Sequence, residues 1–242
     1  MNPMPEPLTA RDLARVSSVG GFFALRTESR PAGAPLAQVY AGQHDALGFR
    51  VAKVRSAIGA DEVRIAVSIA QLGLAARIWS VALGAAALLG RVPELDPATL
   101  YWDPDASSPD DLALTTAGTR PVEDLAEVVL ERHLVPLGAA LHARFRISDR
   151  LLWGNAGSAL AAADREIRRW ARRTGDAEAA ERAGALAARL FEDPRLRGTG
   201  AYEGESFRRR SCCLYYRIPG GGVCGDCCFR TPPDPSAPRR TG

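Results

Sequence analysis

Cysteine is missing from the first 211 residues of this 242-residue chain, and lysine occurs once, as Lys53. The first absence excludes disulfides and thiolate-bound metals from nearly the whole length, and a chain of this size can bury a core without staples. The second means that almost all positive charge is arginine. With the many alanines this reads as genomic base composition rather than phosphate recognition, and a net charge of +3 makes no case for nucleic acid. Histidine is scarce as well. His133 and His142 are nine residues apart, about 180° around a continuous helix, so they cannot share an ion. With His44 they read as surface or internally satisfied side chains, which excludes a histidine-rich metal site. No P-loop, G-x-G-x-x-G or G-x-S-x-G motif is present, so there is no fingerprint for a nucleotide, a dinucleotide or a nucleophile elbow. The N-terminus, Met-Asn-Pro-Met-Pro-Glu, has neither the basic nor the apolar region of a secretory signal. The most apolar stretch, Val63 to Leu89, is interrupted by Arg64, Gln71 and Arg77. A membrane span needs about 20 apolar residues, so this stretch is expected to be a buried core helix, with no transmembrane segment and a cytoplasmic location.

What is present reads as a mainly α fold with a small β-sheet (α+β). Thr9 is placed to cap a short helix from Ala10 to Val16 after a Pro-rich lead. Gly21 to Arg26 reads as a strand, with Leu36 to Tyr40 either its partner or the lead into a helix. Apolar residues at helical spacing predict helices over His44 to Ile58 and Asp61 to Leu89. Leu100-Tyr101-Trp102 and Leu112 to Thr116 read as paired short strands. Helices are then expected from Pro121 to Arg144 with a bend near Pro136, from Ser148 to Arg173, and from Asp176 to Phe191.

All five cysteines crowd into the C-terminal end: Cys212, Cys213, Cys224, Cys227 and Cys228. Cys224-Gly-Asp-Cys227 is a C-x-x-C knuckle that brings two thiolates onto one metal. The vicinal pair Cys212-Cys213 precedes it by ten residues, and Pro219 with Gly220, Gly221 and Gly222 forms a turn between them. Structural zinc, a vicinal disulfide beside a thioredoxin-like dithiol, and an iron–sulfur cluster all remain open on this spacing. The cluster is favoured, because four thiolates spread over two irons tolerate a vicinal pair better than one tetrahedral ion does.

Ser211-Cys212-Cys213, ten residues, then Cys224-Gly-Asp-Cys227 resembles the C-C-x10-C-x2-C signature of the siderophore-iron reductase family, the FhuF-like ferric iron reductases. Leu152-Trp153-Gly154-Asn155 with Ser158-Ala159-Leu160 is similar to that family's mid-chain motif. Arg208-Arg209-Arg210 and Leu214 to Pro219, around the first cysteine pair, are similar as well. The resemblance covers positions 152 to 228; before them only Ile78-Trp79-Ser80 and Leu83-Gly84 are like the family.

The resemblance implies a helical domain over 1–205, a cluster-binding segment over 206–230, and a Pro-rich tail over 231–242, expected to be disordered. It implies a [2Fe-2S] cluster on Cys212, Cys213, Cys224 and Cys227, and one-electron reduction of Fe(III) in a siderophore, most often a hydroxamate, in the cytoplasm. With no flavin or dinucleotide motif, electrons are expected from a separate donor such as a ferredoxin or reductase. Arg208, Arg209, Arg210, Trp153 and Arg217 are candidates for docking substrate or donor, with peripheral contact to a siderophore importer as a further expectation. For Trp153 a core anchor is the plainer reading, and for Arg208 to Arg210 a solvated basic turn competes evenly. Arg165, Arg168, Arg169, Arg172 and Arg173 read as a solvated helix face. Cys228 lies outside the signature, as a spare small residue, a substitute ligand or a redox neighbour. The alternative from another class is a non-enzymatic iron–sulfur or zinc module that senses iron or oxidants.

Overall fold

The computed structural model describes residues 6–204 and 206–233. Two long helices form its axis: α4, Val63–Leu89, and α6, Asp149–Thr174. α4 is rich in alanine and leucine, buried on almost every face, and ends at Gly90 in the left-handed conformation that favours glycine. It packs most extensively along α6, and also against α3, Ala46–Ala57, and α7, Ala177–Leu190. By length and composition it could cross a membrane, but most of it is buried inside the fold, as expected for a core helix. At Gly84 a Cβ would sit 2.6 Å from the Phe23 ring, so the missing side chain is what lets Phe23 and Val16 close against α4.

Around this axis lie α1, Ala10–Ser17, α2, Leu36–Tyr40, and α5, Val135–Arg144. Thr9 and Asp12 form a reciprocal capping box at the start of α1, and the Asp176 carboxylate accepts the Ala179 N–H to start α7. Short strands make a four-stranded sheet of β1, Arg26–Thr27, β2, Ala34–Pro35, β4, Leu100–Trp102, and β5, Leu112–Leu114, in the order β1-β5-β4-β2. β4 and β5 pair antiparallel with Leu100 opposite Leu114, as the two apolar triplets predicted. Two ribbons complete the fold: β3, Arg91–Pro93, with β6, Thr119–Pro121, and β7, Gly200–Glu203, with β8, Ser206–Arg209. The α+β class expected from sequence is the one observed.

Two expectations need correction and one open alternative is decided. Gly21 to Arg26 is not a strand but a 3₁₀ turn, Gly21–Phe23, leading into β1. The buried Arg77 guanidinium donates to the carbonyls of Gly21, Phe22 and Ala24, so a side chain takes the bonds a neighbouring strand would have made. Of the two alternatives for Leu36 to Tyr40, the helical one is observed. The single bent helix expected from Pro121 to Arg144 is instead β6, a 3₁₀ turn, a π-helix over Glu127–Leu134, and α5. Pro136 sits in the first turn of α5, and the wider π ladder lies just before the point where its missing N–H breaks the α pattern. Residues 1–5 of the Pro-rich lead and 234–242 of the expected tail lie outside the described residues.

Candidate metal centre

The cysteine segment enters from the β7–β8 ribbon, which Phe207 pins to the body by stacking on Phe191 with ring centroids 5.3 Å apart. After β8 the chain runs through Cys212 and Cys213, turns at Tyr215–Arg217 and again at the glycines, and returns through the knuckle. Leu214 takes a left-handed φ of 71°, which an L side chain adopts at a cost of ~1 kcal/mol, and its N–H points at the Cys212 Sγ at 3.2 Å. In the knuckle the Cys227 N–H donates to the Cys224 carbonyl at 3.0 Å.

Side chains from both long helices hold this segment. The Asp226 carboxylate, inside the knuckle, accepts from Ser158 Oγ at 2.5 Å and Arg165 Nη1 at 3.0 Å, both on α6. Its backbone carbonyl accepts the Arg209 N–H at the end of β8. From α4, Ser68 Oγ donates to the Cys213 carbonyl at 2.8 Å, and Glu62, at the helix start, pairs with Arg217 at 2.6 Å.

All five cysteines are free thiols, Cys213 and Cys227 buried and the others half-buried. Cys213 and Cys224 have their sulfurs 3.5 Å apart. A tetrahedral metal with metal–sulfur bonds of about 2.3 Å spaces two thiolates about 3.7 Å apart, so this pair fits one ion. A two-iron cluster takes its protein thiolates two to an iron, and the Cys213–Cys224 pair is spaced to serve one of them. Backbone donors to sulfur, which help set a cluster's potential, are also present: Leu214 N–H to Cys212, and Phe229 N–H to Cys227 at 3.4 Å.

The electrostatics favour thiolate at one place. Hydrogen bonds from the Cys212 and Cys224 thiols hold Cys213 far below the usual thiol range, with Arg209 adding positive charge. The resulting anion pushes Cys212 and Cys224 upward in turn. Burial raises Cys228.

Asn155 joins the centre to the core. It is completely buried and donates from Nδ2 to the Ser68 carbonyl at 2.9 Å, Ser68 Oγ at 3.1 Å and Gln71 Oε1 at 2.9 Å. Its Oδ1 accepts from Arg209 Nη2 at 2.5 Å. Next to it Gly154 leaves room for the Ser211 side chain, whose Oγ would sit 1.9 Å from a Cβ there and would have to turn away. The mid-chain Gly154-Asn155 pair is therefore the floor on which the Arg209–Ser211 stretch lies.

The docking candidates scatter. Arg208 is half-buried and paired with Glu203 along the ribbon at 3.3 Å. Arg209, grouped with its neighbours as a docking residue, is 1% exposed and cannot meet a partner, because strand alternation turns it inward. Arg210 is exposed. It shares with Trp153 a cleft of about 290 Å³, whose other walls include Arg150, Arg195, Arg197 and Ser211. Arg217 is tied to Glu62 and to the Tyr216 hydroxyl. On the arginine face of α6, Arg165, Arg168 and Arg169 are ion-paired with Asp226, Asp164 and Glu166, so it is more than a solvated face. Ser68, Asp226, Ser158 and Arg165 were not read from sequence as part of the site. Asp226 lay inside the knuckle motif, Ser158 inside the mid-chain motif and Arg165 on the arginine face without an assigned role, and the one signal for Ser68 was a polar residue interrupting an apolar helix.

Residues 209–229 match the family model described as FhuF 2Fe-2S C-terminal domain. No curated protein matches the chain. The matched span begins at the buried arginine and contains all five cysteines, and the cofactor the domain implies, a [2Fe-2S] cluster, is compatible with the close Cys213–Cys224 sulfur pair. The chain thus ends in a segment similar to the FhuF 2Fe-2S C-terminal domain, which supports a likeness to the FhuF-like siderophore-iron reductases and an iron–sulfur, siderophore-related reductive role.

Proposed function

We propose that the chain is a cytoplasmic ferric-siderophore reductase whose [2Fe-2S] cluster is held by Cys212, Cys213, Cys224 and Cys227. Its substrate is Fe(III) in a hydroxamate siderophore, and its product is Fe(II). The observation that carries this reading is the cleft beside the cluster segment. Its wall includes Ser211, the residue before Cys212, and it gathers four arginines around the face of Trp153. Arg195 lies over that ring at 5.6 Å, held by Asp193 and Glu131.

A bulky chelate needs an open wall of mixed apolar and cationic character, and this cleft supplies one. Trp153 offers a flat apolar surface, while Arg150, Arg197 and Arg210 attract the anionic groups of a chelate. When bound, the cluster supplies a one-electron step, which matches conversion of Fe(III) to Fe(II). Hard oxygen ligands hold Fe(II) far more weakly than Fe(III), so the metal leaves once reduced. A separate donor, a ferredoxin or a reductase, restores the electron. Arg208 and Arg217, on the outer side of the segment, are where we expect the donor or an importer to touch.

The test starts with anaerobic purification. The protein should be red-brown, and its reduced form should be reoxidised by a ferric hydroxamate as Fe(II) appears on a ferrous chelator. A Trp153→Ala, Arg210→Ala double variant should keep the spectrum and raise the siderophore KM about tenfold, equal to about 1.4 kcal/mol. Cys213→Ser should lose the cluster and Cys228→Ser should keep it. A colourless protein with stoichiometric zinc would overturn the cluster. An intact cluster that no siderophore reoxidises, in a protein that binds specific DNA, would favour a sensor.

A further inference from the structure

Two side chains beside the cysteines bury polar atoms with nothing to bond. Arg209 makes one side-chain hydrogen bond, to Asn155, and its Nε and Nη1 are buried without a partner. The Ser211 Oγ, pressed against Gly154, is likewise unsatisfied. Among the described residues no carboxylate pairs with Arg209; the nearby Asp226 carboxylate is occupied by Ser158 and Arg165. Guanidinium is a fork of five donors with a fixed positive charge. Folded proteins very rarely bury one without acceptors, because the lost hydration is not replaced. An acceptor of negative charge therefore belongs here.

The neighbourhood says which. The Arg209 backbone N–H is bonded to the Asp226 carbonyl in the knuckle, and its guanidinium is joined through Asn155 and Ser68 to the Cys213 carbonyl. In a [2Fe-2S] cluster the four thiolates and two sulfides outweigh the charge of the irons, and each added electron makes the group more negative. We propose that Arg209 is the residue that tunes this cluster: its unfilled Nε and Nη1 donors meet cluster sulfur, and its fixed charge eases one-electron reduction with no proton taken up. Asn155 holds the guanidinium in place through its fourfold bonding, so the donors are aimed before the cluster arrives. The inference rests on the cluster and not on the siderophore, so failure to reduce any siderophore leaves it standing.

The test compares wild type with Arg209→Met and Arg209→Lys. Redox titration of the loaded proteins should show Arg209→Met binding its electron about tenfold less well, a potential about 59 mV more negative for one electron. Arg209→Lys keeps the charge with fewer aimed donors and should shift about threefold in the same direction. A fully loaded Arg209→Met with the wild-type potential overturns the proposal. Should that variant not retain the cluster, the melting temperature of the metal-free proteins decides. Removing an uncompensated buried charge predicts that metal-free Arg209→Met melts at or above metal-free wild type. A lower melting temperature would make Arg209 a structural brace and sink the tuning role. A wild-type chain carrying no [2Fe-2S] cluster would fail the reading beneath it, before any variant is compared.

Discussion

Arg77, in the middle of α4, and Arg209, at the end of β8, are both 1% exposed, and they are buried in opposite ways. Arg77 is saturated. Its Nε meets Asp111 at 2.7 Å, and its remaining nitrogens reach the carbonyls of Gly21, Phe22, Ala24 and Pro109. Arg209 has one side-chain partner and two idle nitrogens. The first is a strut that fastens the N-terminal turn and the loop before β5 onto the core helix. The second is a charge the protein keeps beside its cysteines without using up its donors. The difference separates a buried ion that serves the fold from one held ready for something the fold does not contain.

The sharpest way to break this comparison is Arg77→Met. It strands Asp111 without a counter-charge, and losing one member of a buried pair costs about 3–5 kcal/mol. Denaturant unfolding should show that loss, whereas the same exchange at Arg209 should cost the metal-free chain nothing. Equal destabilisation at the two sites would erase the distinction.

His133 offers a second buried polar group of the saturated kind. Its Nδ1 accepts from the Tyr40 hydroxyl at 2.9 Å and its Nε2 donates to the Leu95 carbonyl at 2.6 Å, which together define a neutral imidazole. Burial lowers its pKa from 6.5 to about 4. The unfolded chain therefore binds the extra proton first as pH falls. The stability from this residue is complete above pH 6.5 and declines down to about pH 4, by about 3 kcal/mol in all. Unfolding free energies measured across that window should follow this slope, and His133→Phe should flatten it.

The smallest effect is expected at the knuckle. Asp226→Asn keeps the shape but removes the charge that Arg165 and Ser158 bind, for about 1–2 kcal/mol. Its more telling readout is cluster retention over hours in air. A loss rate equal to wild type would show that α6 does not hold the cysteine loop.

Much of this was legible in the chain, for identifiable reasons. α4 declares itself through its alanines and leucines, Thr9 and Asp176 through cap chemistry, and the metal centre through cysteines that occur nowhere else. The turn at Gly21 was not legible, because its partner is a side chain more than fifty residues away. The π-helix was hidden because a π turn and an α turn share one composition. Arg208, Arg209 and Arg210 looked alike because position along a strand, not residue type, sorts them. Phe207 and Arg209 point in while Arg208 and Arg210 do not, and that alternation is readable only once β8 is known.

Asn155 carries one more consequence. It ties the two longest helices to Arg209, and through Ser68 to the Cys213 carbonyl, so the cysteine loop borrows its stiffness from the core. Dipoles fixed by rigid elements do not have to turn when a charge arrives beside them. An electron delivered here would meet surroundings already arranged for it, and its passage would be timed by distance and docking rather than by movement of the loop.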